Sequence, residues 1–194
     1  MLTAGEIDAV VAAIEHAFAS PEGMEYLGED VTMIQHQLQA GALALAAGLA
    51  EPLVVAALLH DVGHMVGHLL GEDHAASALA ADADAHHDVA GARWLGQWFG
   101  PAVTEPVRLH VTAKRYLVSA EPGYAGLLSD SSVHTLRLQG GSMSLAEVAA
   151  FEALEHGRSA VRLRRLDEQA KDAGRDAPGI ETHRDLIRRV VLAG

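Results

Sequence analysis

The sequence VVAALLHDVGH at residues 54–64 places two imidazoles and a carboxylate at the end of an apolar run. If the apolar run continues as a helix, His60 and His64 lie one turn apart and Asp61 lies on the adjoining strip, so that all three side chains point into one sector. A buried carboxylate is costly unless a cation or hydrogen-bond donors compensate it. The stretch therefore predicts a metal site inside a helical core.

The composition favours an all-α fold. Hydrophobic residues make up 49% of the 194 residues, with Ala and Leu dominant, whereas aromatic residues make up only 4%. Strands are usually built from β-branched and aromatic residues, so this balance favours helices. We expect one domain over residues 1–194, with a core at about 24–170 and a C-terminal helix at 181–192.

Charge and cysteine content exclude several classes of partner and site. The formal charge of -12 argues against a nucleic-acid or anionic-membrane surface. With no cysteine and 12 histidines, the chain cannot build a thiolate site, which points to iron, manganese or zinc held by nitrogen and oxygen. The N-terminus lacks a signal pattern and no apolar run approaches about 20 residues, so we expect a cytoplasmic protein.

Capping residues and helix breakers predict most of the helix boundaries. Thr3 with Glu6 and Ser144 with Glu147 form capping-box patterns, and Gly91 inside a predicted helix suggests a close helix contact. Residues 71–84 resemble an acidic loop. Helices are predicted at 3–19, 32–48, 86–99, 129–139, 158–173 and 181–192. Another begins at 52 and ends at 67 or 70, one begins within 104–106 and ends at 121–123, and one begins at 144.

A group suited to metal binding occurs on almost every predicted helix. Helical bundles build metal sites in this way, with inward side chains from different helices. The candidates are His36, His60, Asp61, His87, His110 and Asp167.

The pattern of His36, His60-Asp61 and Asp167 resembles the HD-domain superfamily, which is named for its adjacent His and Asp. That resemblance usually implies a helical metal-dependent phosphohydrolase acting on a small phosphoester or nucleotide. Two further histidines, His87 and His110, imply a second metal. A non-catalytic HD module that binds a small anion is a third hypothesis, against which the complete ligand set argues.

A closer resemblance covers residues 26–167 and includes several motifs in order. The chain is similar to the HD-domain mixed-valence di-iron oxygenases of organophosphonate degradation, which are related to myo-inositol oxygenase. The matching motifs are YLGE at 26–29, HDVGH at 60–64, HDVAGA at 87–92, TEPVRLHVTAKRY at 104–116 and LQGGSM at 138–143.

This resemblance implies a di-iron ligand set. One iron would be held by His36, His60, Asp61 and Asp167, with Asp61 bridging to a second iron. The second iron would be held by His87 and His110 and keep open positions for substrate and O2. His87 is preferred to the neighbouring His86 because an acidic residue follows it directly, as in relatives.

The resemblance also implies the reaction. Such enzymes use an Fe(II)/Fe(III) pair and O2 as co-substrate to cleave a carbon–phosphorus bond. The expected substrate is of the 1-hydroxy-2-aminoethylphosphonate type, either the primary amine or the N-trimethylated form, giving phosphate with glycine or glycine betaine. A quaternary ammonium is usually recognised by aromatic faces, and only Tyr26 is an obvious aromatic near the site. This favours the primary amine, although Trp94 and Trp98 could reverse the preference.

Several polar residues are candidates for substrate binding and catalysis. Lys114 lies one turn beyond His110, and Ser132, Thr135 and Gln139 follow one helix stripe at i, i+3 and i+7. Without the resemblance these residues would be an ordinary solvated surface. His64 is expected to donate a hydrogen bond to the phosphonate, and Glu29 to attract the substrate amine. Tyr26 is expected to cover the open iron.

Overall fold

Ten α-helices and three short 3-10 helices form the part of the chain that the structure, a computed structural model, describes: residues 2–26, 29–66 and 86–191. No strand occurs within these ranges, so the all-α prediction is confirmed. The α-helices are α1 (Ala4–Phe18), α2 (Met33–Ala46), α3 (Glu51–Leu58), α4 (Val62–Val66), α5 (His87–Leu95), α6 (Pro101–Ala120), α7 (Asp130–Leu138), α8 (Leu145–Glu152), α9 (Gly157–Gln169) and α10 (Arg184–Val190). The 3-10 helices are Pro21–Met24, Tyr124–Leu127 and Ile180–His183.

Side-chain caps fix the starts of several helices. Complete capping boxes occur at Thr3, Thr32 and Ser144. In each, the cap side chain accepts a hydrogen bond from the backbone N–H three residues later, and the side chain of that later residue accepts one from the backbone N–H of the cap. Ser129 caps α7 by accepting from the backbone of Ser132. Such caps satisfy backbone donors that a helix start otherwise leaves open, and they depend only on local sequence. The predicted starts at these positions are therefore confirmed.

The predicted continuous helix through residues 60–64 is wrong. Helix α3 ends at Leu58 and α4 begins at Val62, with a tight turn between them. The Nδ1 of His60 donates to the carbonyl of Ala57 at 2.8 Å, which satisfies one of the last open acceptors of α3. The break thus places His60 and Asp61 at a helix end. The far end of that predicted helix, together with His68 and His74, lies outside the described residues.

Other predicted helix boundaries also differ from the structure. Helix α6 begins at Pro101 rather than near Thr104, because Pro is well suited to a first helical position, and Pro106 lies inside the helix. Helix α9 ends at Gln169 rather than at residue 173. The predicted helix at 181–192 is a 3-10 turn followed by α10.

The buried hydrophobic side chains form two clusters among the described residues. The larger core includes side chains of α1 and α10, such as Ile14 and Ile187. A smaller cluster of Leu109, Ala113, Phe151 and Ala160 joins α6 to α8 and α9. Among the described helices, none combines the length and hydropathy needed to cross a membrane.

Candidate metal centre

The predicted metal ligands converge from five parts of the fold. His36 lies on α2, the pair His60 and Asp61 on the α3–α4 turn, His87 at the start of α5, His110 on α6 and Asp167 on α9. All are buried except His87, which is half-buried. The cluster therefore forms only when the tertiary fold is complete.

The first set of ligand atoms is spaced as around a single ion. The Nε2 atoms of His36 and His60 are 3.0 Å apart. Asp167 Oδ1 lies 3.3 Å from the first of these nitrogens and 4.0 Å from the second. Metal–ligand bonds of about 2.1 Å put neighbouring ligand atoms roughly 3 Å apart or slightly more. His36, His60 and Asp167 thus fit one metal.

Asp61 lies between this set and a second one. Its Oδ2 is 3.5 Å from His36 Nε2 and 3.4 Å from His60 Nε2. Its Oδ1 is 3.3 Å from His87 Nε2 and 3.5 Å from His110 Nε2, and these two nitrogens are 3.1 Å apart. One carboxylate therefore presents a separate oxygen to each of two imidazole pairs.

Backbone carbonyls fix the tautomers of three histidines. The Nδ1 atoms of His36, His60 and His110 lie 2.7 to 2.8 Å from the carbonyl oxygens of Ala170, Ala57 and Val107, respectively. A carbonyl only accepts, so each Nδ1 carries a hydrogen, and Nε2 is the ring nitrogen that faces the cluster and can bind a metal. Carbonyl partners of this kind are typical of metal-ligating histidines.

The electrostatics of the cluster favour a cation. Burial acts to lower the pKa of His36, but Asp167 and Asp61 outweigh it and raise the pKa to about 10. The pKa values of both carboxyls are held well below the ordinary range despite burial, by neighbouring imidazoles and, for Asp167, by Arg164. Asp61 Oδ1 is buried without a hydrogen-bond donor among the described residues. A site of this charge and donor chemistry fits metal ions.

A glycine contact between two helices positions His87. A Cβ on Gly63 would lie 2.0 Å from the carbonyl oxygen of His87, and a Cβ on Gly91 would lie 3.1 Å from the nitrogen of Gly63. The backbones of α4 and α5 therefore touch, which confirms the expected close contact at Gly91. The neighbouring His86 is exposed and adopts a left-handed backbone, with a φ of 47°. Of the two candidates, His87 is the one in the cluster.

His64 lies beside the second set of ligands rather than one helical turn beyond His60. Its ring stacks on His87 with a centroid distance of 4.0 Å. Burial and the neighbouring His87 hold the pKa of His64 well below its ordinary value, so the ring is neutral. Its Nδ1 is buried without a hydrogen-bond partner in the described part of the chain. This nitrogen is available to a polar group of a ligand.

Lys114 is buried and bonds to the half-buried Thr135. Lys114 is only 3% exposed, and its Nζ donates to Thr135 Oγ1 at 2.8 Å. Burial, followed by the nearby Arg164, lowers the pKa of Lys114 to about 7, while Asp167 opposes the shift. Gln139, the third member of the predicted stripe, is half-buried at the C-cap of α7. Lys114 is thus a buried amine and not a solvated surface residue.

Sequence reasoning missed a charged network behind the predicted stripe. Ser132 Oγ lies 3.1 Å from Arg164 Nη2 and 2.9 Å from Lys171 Nζ. Arg164 also forms ion pairs with Asp167 and Glu168. Arg164 lies three positions before Asp167, whereas Glu168 and Lys171 lie one and four positions after it. This spacing places Arg164 and Lys171 near Asp167, on α9 and its C-terminal extension. That spacing was the signal available in the sequence.

The predicted amine-binding residue Glu29 already has two partners. Its Oε1 accepts from Ser129 Oγ at 2.7 Å and from Lys171 Nζ at 2.9 Å. Tyr26 is 63% exposed. Leu27 and Gly28, which join these two residues, lie outside the described residues. The structure thus brings Glu29 to the Ser132 network and leaves Tyr26 at the surface.

Comparison with known proteins identifies the family. No family model matches the chain. The chain is 40% identical over 167 residues, which cover 86% of it and 83% of the relative, to a 1-hydroxy-2-(trimethylamino)ethylphosphonate dioxygenase (glycine-betaine-forming) of Leisingera caerulea. It is 41% identical over 161 residues, 83% of it and 78% of the relative, to a hydroxymethylphosphonate dioxygenase of Gimesia maris. With two dioxygenases similar over most of their lengths and two adjoining His/Asp clusters at its centre, this chain belongs to the family of HD-domain phosphonate dioxygenases.

Proposed function

We propose that this protein is a di-iron oxygenase that uses O2 to cleave the carbon–phosphorus bond of a 1-hydroxy-2-aminoethylphosphonate-type substrate. The substrate is the primary amine or its N-trimethylated form, and the products are phosphate and glycine or glycine betaine. The observation that carries this proposal is the position of Asp61, whose two oxygens each face a separate imidazole pair. A mononuclear hydrolase would not need the second pair.

The donor set supports iron at both positions. The first position has His36, His60 and Asp167 with one oxygen of Asp61, while the second has His87 and His110 with the other oxygen. Imidazole and carboxylate donors suit non-haem iron. The irons supply the redox chemistry with O2. Since the second position has one donor fewer among the described residues, it keeps more room for the substrate's oxygen atoms.

Lys114, Thr135 and Ser132 are suited to hold the phosphonate. The phosphonate is anionic, and a buried ammonium with adjoining hydroxyls offers it charge-assisted hydrogen bonds. Lys114 lies one turn from His110 on α6, and Asp167 is near enough to oppose the lowering of its pKa. A bound phosphonate would also favour the ammonium form of Lys114. The Nδ1 of His64, which has no hydrogen-bond partner among the described residues, adds a polar group beside the second metal position.

The substrate's amine end would lie near Glu29 and Tyr26. Trp94, which the sequence left as a possible aromatic partner for a quaternary ammonium, packs in the larger hydrophobic core with Trp98 against it. An aromatic cage built from these two residues is therefore not supported, which favours the primary amine. The relative from Leisingera caerulea favours the trimethylated form, so both belong in the test.

The proposed reaction balances with O2 alone. One 1-hydroxyphosphonate dianion and one O2 give one carboxylate, one hydrogen phosphate and one proton. The carbon that bore phosphorus is oxidised, and O2 is the oxidant. Protein loaded with Fe(II) should therefore release one phosphate for each O2 consumed. Phosphate release that continues unchanged without O2 would refute the oxygenase and support an HD phosphohydrolase.

A further inference from the structure

We propose that Lys171 is a specificity-determining residue, whose ammonium competes with a cationic substrate group for the carboxylate of Glu29. The inference rests on the proposed function, in which Glu29 receives the substrate amine. Lys171 would then disfavour cationic substrates relative to neutral ones of the same size.

Four oxygen atoms surround the Lys171 ammonium. Its Nζ lies 2.9 Å from Glu29 Oε1, 2.9 Å from Ser132 Oγ, 3.1 Å from Ser129 Oγ and 3.3 Å from Glu168 Oε1. An ammonium has only three hydrogens to donate. Glu29 can therefore leave while every hydrogen of Lys171 keeps an acceptor. The Glu29 contact is the replaceable one, because the other three oxygens lie on α7 and α9 or at their caps.

The same carboxylate oxygen meets both Lys171 and Ser129. Glu29 Oε1 is 2.7 Å from Ser129 Oγ, so this one atom is enclosed by a cation and a hydroxyl. The side chains of Glu29 and Lys171 are only 20% and 13% exposed. Solvent therefore screens the pair weakly, and a second cation can bind Glu29 Oε1 only by displacing Lys171 from it.

Lys171 also contacts the phosphonate side of the proposed site. Through Ser132 Oγ it reaches the hydroxyl proposed to hold the phosphonate, so its removal would weaken binding of every phosphonate. A ratio of affinities for two phosphonates cancels this shared effect. Only the difference at the tail of the ligand remains in the ratio.

The test is equilibrium binding by anaerobic, iron-loaded protein. The probes are 2-aminoethylphosphonate, whose tail is cationic, and ethylphosphonate, whose tail is neutral. The preference for the cationic probe is the Kd of ethylphosphonate divided by the Kd of 2-aminoethylphosphonate. K171Q should raise this ratio on the order of tenfold. K171M, which keeps the aliphatic stem, is measured alongside and should do the same. Because no turnover is needed, a failure of catalysis does not affect this measurement.

Two controls separate the proposed role from general charge or packing effects. R175Q removes one cation from the same segment, where Arg175 is exposed and 3.6 Å from Asp172, and should leave the ratio unchanged. In an E29Q background, K171Q should no longer change the ratio. An unchanged ratio in K171Q and K171M, or an equal effect with and without Glu29, would overturn the inference. If the wild-type protein binds neither probe, the proposed phosphonate site itself is wrong.

Discussion

Replacing Gly63 by Ala tests how the fold builds the second metal position. The added Cβ would lie 2.0 Å from the carbonyl oxygen of His87 and 2.8 Å from the nitrogen of Gly91. Carbon and oxygen atoms approach to about 3.3 Å even in their closest favourable contacts. Helix α5 must therefore move away from α4 by at least about 1 Å. Its first residue, His87, would move with it.

That displacement is large compared with what metal ligation tolerates. Ligand distances in a working site hold to within about 0.2 Å, so His87 should be lost as a ligand. His36, His60 and Asp167 do not lie on α5, so the first position should remain. We expect G63A to bind about one iron per chain instead of two and to lose most of its activity. Overpacking should also cost roughly 1–3 kcal/mol of unfolding free energy.

Metal analysis, denaturant unfolding and phosphate release measure these three effects in one preparation. Gly5→Ala is the matched control, because a Cβ on Gly5 has no neighbour within 4 Å among the described residues. G5A should bind two irons and keep wild-type activity. A G63A protein with two irons and normal turnover would show that the α4–α5 contact does not position His87.

Three further predictions concern individual site residues. Since the pKa of Lys114 is about 7, phosphonate-binding ammonium is lost as the pH rises above that value, and kcat/KM should decline through an apparent pKa of about 7. Lys114→Arg should move this alkaline decline upward, and an unmoved decline would exclude Lys114 as its source. Asp61→Asn keeps the shape but only one carbonyl oxygen, so it should retain about one iron and lose at least roughly 100-fold in activity; two retained irons would argue against the bridge. His87→Ala should lose the second iron, whereas His86→Ala should stay within about twofold of wild type in kcat/KM, and the reverse order would exchange the two assignments.

Features that depend on local sequence were predictable. The capping boxes at Thr3 and Ser144 involve residues three positions apart, so their hydrogen bonds form within one turn. The six metal-ligand candidates were also identifiable, since carboxylates and imidazoles on apolar helix faces are unusual unless they share a cation. In the structure they group around Asp61, with Oδ2 facing one imidazole pair and Oδ1 facing the other.

Features that depend on tertiary contacts were not predictable. The apolar run before His60 favours an unbroken helix, whereas the structure ends α3 at Leu58 and brings α4 against α5. The Glu29–Lys171 pair joins residues 142 positions apart. Each of its members looks like an ordinary charged residue in the sequence, so its effect on specificity follows only from the structure.

One carboxylate that serves two metals is the central feature of the proposed centre. Anomalous diffraction from crystals of iron-loaded protein, measured across the iron absorption edge, tests this without requiring turnover. We expect two iron peaks about 3.5–4 Å apart, one on the side of Asp61 Oδ2 and the other on the side of Oδ1. A single peak, or a second peak that Asp61 does not contact, would contradict the proposed centre.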